Sequence, residues 1–304
     1  MTATNIVLQP KHRCLHVVTD GASYNQAGVV QGFATKVFTA PNWPGIITGR
    51  GIASAPQLFG QRLSWKFQSF DDLVDGIEAV YLDIADELGL TEYDIELIIA
   101  GWSFERDQPE SYVIYPNEQL GHGMTEEILE ARLAEGKWSP KPVPFKLMKL
   151  PGAVDGPFLN EAIKLSSDYG GIDIDEPPEK CIARMHHVIE CQRHDVWAHD
   201  QKYYIGGFAQ VTTVTPDGIS QRILSRWPDK TGELICPSPP DWEKWKTDHW
   251  KCLGYGQAAP SPHMSAHVAA IVPDGLSRLQ RRRMEKKIRK GKLTAAAELN
   301  GARK

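Results

Sequence analysis

The chain has 304 residues, 41% hydrophobic and 24% charged, with a formal net charge of −4. That length is ample for a real core in one large domain, with or without an extension. The slightly acidic balance argues against nucleic-acid binding by the whole domain, and no apolar run approaches the length of a membrane span.

Residues 4–9 and 14–20 read as a hairpin around a polar turn at 10–13, the first strand carrying Ile6-Val7 and the second the apolar stretch 15–18. Residues 29–40 and 45–49 read as further strands, split by Pro41 to Pro44, and Gly49-Arg50-Gly51 reads as a glycine-rich turn. After a polar stretch, Ser69 with Asp72 three residues on is a helix-start signal. Leu73, Ile77, Val80, Tyr81, Ile84 and Leu88 then recur at helical spacing up to Gly89. Residues 95–100 and 111–115 are strands, the first ending in Gly101-Trp102.

Residues 124–136 and 157–166 are short helix candidates, and 139–151 is a Pro- and Lys-rich connector. An acidic, proline-broken loop over 176–180 precedes a long helix over 180–199, with Ile182, Met185, Val188 or Ile189, Gln192 and Val196 along one side. Gly206-Gly207 opens a strand over 208–215, which turns at Pro216-Asp217-Gly218 toward a partner at 219–223. Beyond residue 225 the chain is Pro-rich and holds four of the nine tryptophans, Trp227, Trp242, Trp245 and Trp250. Tryptophans in a loop-like stretch need a surface to bury against, so 226–275 reads as a wrapping arm. From Arg278 onward there are 11 Lys/Arg against 2 acids, in a basic helix candidate interrupted by Gly291. This tail is the one stretch suited to an acidic partner or nucleic acid. The favoured reading is a solvated terminal helix or a disordered tail.

The five cysteines, Cys14, Cys181, Cys191, Cys236 and Cys252, form no CxxC pair. With no apolar signal stretch at the N-terminus, they read as reduced thiols in a cytoplasmic protein. His186, Glu190 and His194, at i, i+4 and i+8 with Cys191 beside them, are spaced for a metal site on one helix face. A polar helix surface is the favoured reading there, and no metal is expected. Ser103, after Gly101-Trp102, does not sit in a Gly-x-Ser-x-Gly elbow.

The chemistry-bearing pattern lies in the first fifty residues. Asp20 follows Thr4 by sixteen positions, Lys36 follows Asp20 by sixteen, and the Gly49–Gly51 stretch closes the set. A threonine hydroxyl is a weak nucleophile at neutral pH and needs an adjacent base. A free α-amino group, with an ordinary pKa of about 7.7–8.0, suits that role. A neighbouring lysine favours the neutral amine, an aspartate orients the lysine, and backbone N–H groups of a glycine turn suit a developing oxyanion.

Thr4, Asp20-Gly21-Ala22 and Lys36-Val37, with the strand text around them, resemble the proteasome β-subunit family, most closely its bacterial two-component ATP-dependent relative. The strand ending in Ala100-Gly101-Trp102 and the later order of helix, Gly206-Gly207 and hairpin are similar to the same family. The likeness spans roughly residues 4–225, with an unmatched middle near 116–175. It implies an α+β fold, a four-layer αββα sandwich of the N-terminal-nucleophile hydrolase type, over 1–225. An extended arm over 226–275 and a basic helical or disordered tail over 276–304 follow it. It implies Thr4 as nucleophile, Lys36 as its charge partner, Asp20 as the orienter of that lysine, and Gly49 to Gly51 as the oxyanion region. It implies no cofactor, a peptide or amide substrate, and a homo-oligomer that can close into a ring.

The chain departs from the family pattern at three places. Thr4 is preceded by Met1-Thr2-Ala3 rather than by a processing glycine. Either Thr2-Ala3 is removed to free Thr4, or Thr2 serves through a two-residue slip that keeps side-chain faces. Lys202 and Ile205 stand where the family's Asp-x-x-Ser-Gly-Gly box has its Asp and Ser. Gly152 to Gly156 is the nearest candidate for its Ser-Gly-Ser. Two readings follow: a threonine peptidase or amidohydrolase, or an inactive proteasome-like subunit working in assembly or binding, of a kind that fits a phage- or mobile-element-encoded protein.

Overall fold

The structure is a computed structural model that describes residues 3–91, 93, 95–115, 145–150, 153–154 (as backbone), 174–196, 200–241 and 244. The chain divides into two compact units, Met1–Ala259 and Pro260–Lys304, and every described residue belongs to the first. Its elements follow one another as β1 (Thr4–Gln9), β2 (Cys14–Asp20), β3 (Ala22–Tyr24), β4 (Val30–Phe33), β5 (Phe38–Thr39), β6 (Gly45–Arg50), α1 (Ala55–Lys66), α2 (Phe70–Glu87), β7 (Glu96–Ser103), β8 (Gln108–Ile114), β9 (Leu147–Lys149), β10 (Ala153–Val154), α3 (Pro178–Arg193), β11 (Phe208–Thr215) and β12 (Gly218–Arg226). The fold is mixed, with antiparallel sheets and three helices among the described residues, in keeping with the α+β class.

The first sheet has strand order β10-β1-β2-β11-β12 and the second β5-β6-β7-β8-β9, while β3 and β4 form a separate ribbon. The opening hairpin pairs from Thr4↔Thr19 to Gln9↔Cys14. It turns through a single 3-10 turn over Pro10–His12 and the left-handed Arg13. β11 lies antiparallel to β2, so the chain's second half completes a sheet begun by its first twenty residues.

Side-chain alternation assigns each strand face to a core. Ile6, Leu8, Leu15, Val17 and Val214 of the first sheet pack with Val37, Ile46, Ile98, Ala100 and Val113 in one cluster. Val7 and Val18, one residue from members of that cluster, and Ala209 and Val211, an odd number of residues from Val214, turn the other way and pack with Cys181, Ile182, Met185 and Ile189 of α3. In the second sheet Ile47, Leu97, Ile99, Tyr112 and Ile114 meet Phe59 and Leu63 of α1 and Leu73, Ile77 and Tyr81 of α2. Strands buried on both faces tend to read as apolar runs, and Ile6-Val7-Leu8, Val17-Val18, Leu97-Ile98-Ile99-Ala100 and Tyr112-Val113-Ile114 supply that signal in β1, β2, β7 and β8.

α2 begins where its cap signal predicts: Ser69 accepts a 2.9 Å hydrogen bond from the Asp72 backbone N–H. α3 spans Pro178–Arg193, starting inside the stretch read as a loop and ending before the expected 199; residues 197–199 lie outside the described set. α1 was read as polar loop. Its signal is Ala55, Phe59 and Leu63 at i, i+4 and i+8, diluted by Pro56 and by Gly60, whose missing side chain lets the Phe38 ring sit against the helix. The strand expected over 29–40 is two pieces, β4 and β5, with residues 34–37 crossing between sheets.

The helix candidates at 124–136 and 157–166, the start of the 139–151 connector, Gly152, Gly156, Thr2, Trp242, Trp245, Trp250, Cys252 and the basic tail all lie outside the described residues. Among the described residues no helix is long and apolar enough to cross a membrane.

Candidate functional site

Three of the predicted site residues sit at one end of the first sheet. Asp20, the last residue of β2, is fully buried. Lys36 reaches it from the 34–37 crossing, its Nζ donating to Oδ1 at 2.8 Å and to Oδ2 at 2.9 Å. The crossing is fixed on both sides of the lysine. Val37 is buried in the inter-sheet cluster, and Thr48 Oγ1 donates to the Lys36 carbonyl at 2.9 Å. Thr35 Oγ1 takes the Val37 N–H at 3.3 Å, a local turn that sets the direction of the loop.

Main-chain donors from three other segments converge on the same carboxylate. Oδ1 accepts the Ala3 N–H at 3.1 Å. Oδ2 accepts the Ala22 N–H at 3.3 Å and the Gly206 N–H at 3.4 Å. A buried carboxylate with a cation and several N–H donors meets the condition under which burying charge is tolerable. The arrangement ties together the start of β1, the end of β2, the 34–37 crossing and the entry to β11.

Thr4 is on the face of β1 that carries Ile6 and Leu8 and lies opposite Thr19. Both hydroxyls, Thr4 Oγ1 and Thr19 Oγ1, are buried and have no hydrogen-bond partner among the described residues. Thr4 therefore directly follows the residue whose N–H bonds Asp20, and its own hydroxyl is not bonded to Lys36. It is the backbone of Ala3 that engages the pair.

The glycine stretch differs from the expected turn. Gly49 lies within β6, paired with Leu97, and a side chain there would meet the Glu96 carbonyl. The ladder ends at Arg50↔Glu96, and Gly51, with φ at 107°, is the first residue past it. β-Rich Ile46-Ile47-Thr48 carries the strand through Gly49 because central pairing outweighs the local turn signal of glycine.

Sequence reading missed how the Gly206-Gly207 corner is held. The Gly206 carbonyl accepts the Gly21 N–H at 3.1 Å, and the Gly207 carbonyl accepts the Trp227 N–H at 3.0 Å. Asp229, just beyond β12, accepts the Gly207 N–H at 2.8 Å and pairs with Arg193, the last residue of α3, at 2.7 and 2.8 Å. Arg193 also donates to the Ile205 carbonyl at 2.8 Å and stacks over Trp227. Trp-Pro-Asp directly after the second hairpin was the available sequence signal, but nothing in the text pairs it with Arg193. Lys202, at the position of the family's box aspartate, lies 3.4 Å from Asp200, a surface contact removed from Asp20 in the bonding pattern.

The other constellations are engaged elsewhere. His186 Nε2 is 2.9 Å from Ser225 Oγ, and Glu190 accepts from Ser225 and from the Trp227 indole N–H. Among the described residues no group of three His, Cys, Asp or Glu side chains is arranged to hold a metal. Cys14, Cys181, Cys191 and Cys236 form no disulfide. Cys14 Sγ lies 3.5 Å from His16 Nε2, but this is not an activated dyad. Burial pushes the thiol up to about 11 and, with Arg222 and His12 nearby, holds the imidazole down at about 4.

No family model matches the chain, and no curated protein matches it.

Proposed function

We propose that the chain is a threonine-type amidohydrolase or peptidase on a four-layer αββα sandwich of the N-terminal-nucleophile type, with Thr4 as nucleophile once the residues before it are removed. The observation that carries the reading is the buried Asp20–Lys36 pair, bonded at 2.8 and 2.9 Å, beside the main chain that enters Thr4. The fold is supported by the three separate cores, one between the two sheets and one between each sheet and its helices.

In this mechanism the freed α-amine of Thr4 takes the hydroxyl proton as Oγ1 attacks the substrate carbonyl. The C–O bond forms, the C–N bond breaks, and the amine returns the proton to the leaving group. Water then hydrolyses the acyl ester. Lys36 supplies positive charge near the nucleophile and Asp20 holds it in place, so no metal or other cofactor is called for. Of the glycines, Gly51 is the one whose main chain lies past the β6 ladder, which suits it for the oxyanion better than Gly49. A peptide or amide substrate, homo-oligomeric assembly up to a ring, and a cytoplasmic setting belong to this reading.

A second reading, an inactive subunit that works by assembly or binding, is favoured by one observation. In the intact chain the Thr4 hydroxyl is buried and makes no hydrogen bond to Lys36. The discriminating experiment is intact mass with N-terminal sequencing, followed by a peptidyl epoxyketone, whose adduct requires both a threonine hydroxyl and a free α-amine. A chain beginning at Thr4 that labels, and that stops labelling as Lys36→Ala while circular dichroism shows that variant still folded, upholds the enzyme. Persistent labelling of that variant sinks the mechanism. A chain beginning at Thr2 leaves Thr4 without an amine, so only Thr2 can react. If it does not label, the inactive subunit leads.

A further inference from the structure

The family-like box that should brace the nucleophile's surroundings is degenerate here, with Lys202 and Ile205 in place of its polar residues. The glycines of that box are nevertheless held rigidly, and the brace comes from beyond the second hairpin. We infer that Asp229 is a positioning residue for the Asp20–Lys36 pair, acting through Arg193 and the Gly206–Gly207 corner.

One chain of contacts links Asp229 to Asp20. Asp229 and Arg193 have side chains only 5% and 3% exposed, so their pairing is dry and its geometry strongly specified. The fork is bidentate, which fixes the plane of the carboxylate as well as its distance. One oxygen of that carboxylate, Oδ2, accepts the Gly207 N–H, and the guanidinium takes the Ile205 carbonyl, so the residues on both sides of Gly206 are clamped. Gly206 then offers its N–H to Asp20 Oδ2 and its carbonyl to Gly21, the residue following Asp20.

The corner has no room to find the same path by other means. Gly207 has φ at 78°, and a Cβ there would meet the Phe33 ring. A Cβ on Gly206 would meet Ile235 and the Asp229 carboxylate itself. Residues 229–235 also pair with β4, since Val30 donates to the Glu233 carbonyl and accepts from Gly232. The first part of the arm is thus built into the site. It supplies a carboxylate one step behind Asp20, where it sets the direction of the Gly206 N–H without touching the reacting atoms.

The experiment uses the full chain and two variants. Asp229→Glu keeps a carboxylate for Arg193 but displaces it from the Gly207 N–H. The Arg193→Gln, Asp229→Asn double variant removes both charges, so no buried ion is left alone. Amide hydrogen exchange at Gly206 and Gly21 is read against Val211 in the middle of β11, and epoxyketone labelling is read in parallel. The expected result is exchange about tenfold or more faster at Gly206 and Gly21 with Val211 unchanged, and slower labelling in at least one folded variant. Unchanged exchange in the folded variants overturns the proposal. Faster exchange with undiminished labelling overturns the link to the reactive pair. The labelling arm rests on the enzymatic reading. If the wild-type chain does not label at all, that reading fails by itself, and the exchange arm alone decides whether Asp229 positions the corner.

Discussion

Two buried polar corners, one at the end of each sheet's central strands, make an instructive pair. At the Asp20 corner a single carboxylate gathers Lys36 and three main-chain N–H groups from segments as far apart as Ala3 and Gly206. At the other corner Asp71, at the start of α2, accepts from Ser103, Arg106 and the N–H groups of Phe104 and Glu105. Arg106 continues to Glu110, which also holds Gln108, Tyr112 and Lys149. The second network joins two acids to two cations, Arg106 about one third exposed and Lys149 about half exposed. It staples a helix start to a hairpin. Among the described residues the first has one cation, almost no solvent, and a Thr4 hydroxyl without a hydrogen-bond partner. The first corner thus depends on one buried lysine, while the second shares its acids between two part-exposed cations.

The largest effect should come from removing that lysine. Lys36→Ala leaves Asp20 charged, buried and without its cation, at a cost of about 3 kcal/mol or more. Urea denaturation checks it, and a loss below about 1 kcal/mol would erase the contrast.

Next in size is a pH effect from the opposite end of β1 and β2. His16 is buried, its Nε2 next to Gln9 Oε1 and its Nδ1 next to Thr213 Oγ1. Its value near 4 in the folded chain lies below its ordinary 6.5. Between those values the unfolded chain binds a proton that the native chain does not. Stability from this group is therefore full above about pH 6.5 and lost as pH falls toward 4, by about 3 kcal/mol in all. Denaturation midpoints at pH 7 and 4.5 should converge in His16→Gln. If the wild-type slope survives that change, it belongs to one of the acid corners instead.

A smaller loss, about 1 kcal/mol, is expected for Arg106→Ala, because Asp71 and Glu110 keep other donors and the arginine is partly solvated. A cost equal to that of Lys36→Ala would break the comparison. The smallest effect belongs to Thr4→Val, which deletes a buried hydroxyl with no partner. Stability should hold or rise by up to about 1 kcal/mol, while epoxyketone labelling at this residue disappears. A substantial loss of stability would mean that the hydroxyl has a structural role.

Much of the fold was legible because alternation and burial coincide. β1, β2 and β7 each hold a short apolar run (Ile6-Val7-Leu8, Val17-Val18, Leu97-Ile98-Ile99-Ala100), α2 repeats apolar residues at helical spacing, and Ser69 announces that helix locally. α1 was illegible because glycine and proline, which signal loops, are used there for close packing against Phe38. Of the site, the partnership of Asp20 and Lys36 was legible only through the family resemblance, since Lys36 lies outside the strands, in the 34–37 crossing between sheets.

The amino-acid sequence by itself determined the opening hairpin, the strand over 95–100 and the first long helix, which follow from patterns a few residues to a few tens of residues long, while the Asp20–Lys36 partnership followed from the family resemblance. Only the tertiary structure decided that the β6 ladder runs on through Arg50, that Ala3 instead of Thr4 touches the ion pair, and that Asp229 closes on Arg193 behind Gly206. Those outcomes depend on which distant segments share a buried corner. Desolvation there compels every charge and N–H to find a partner, whatever its distance along the chain.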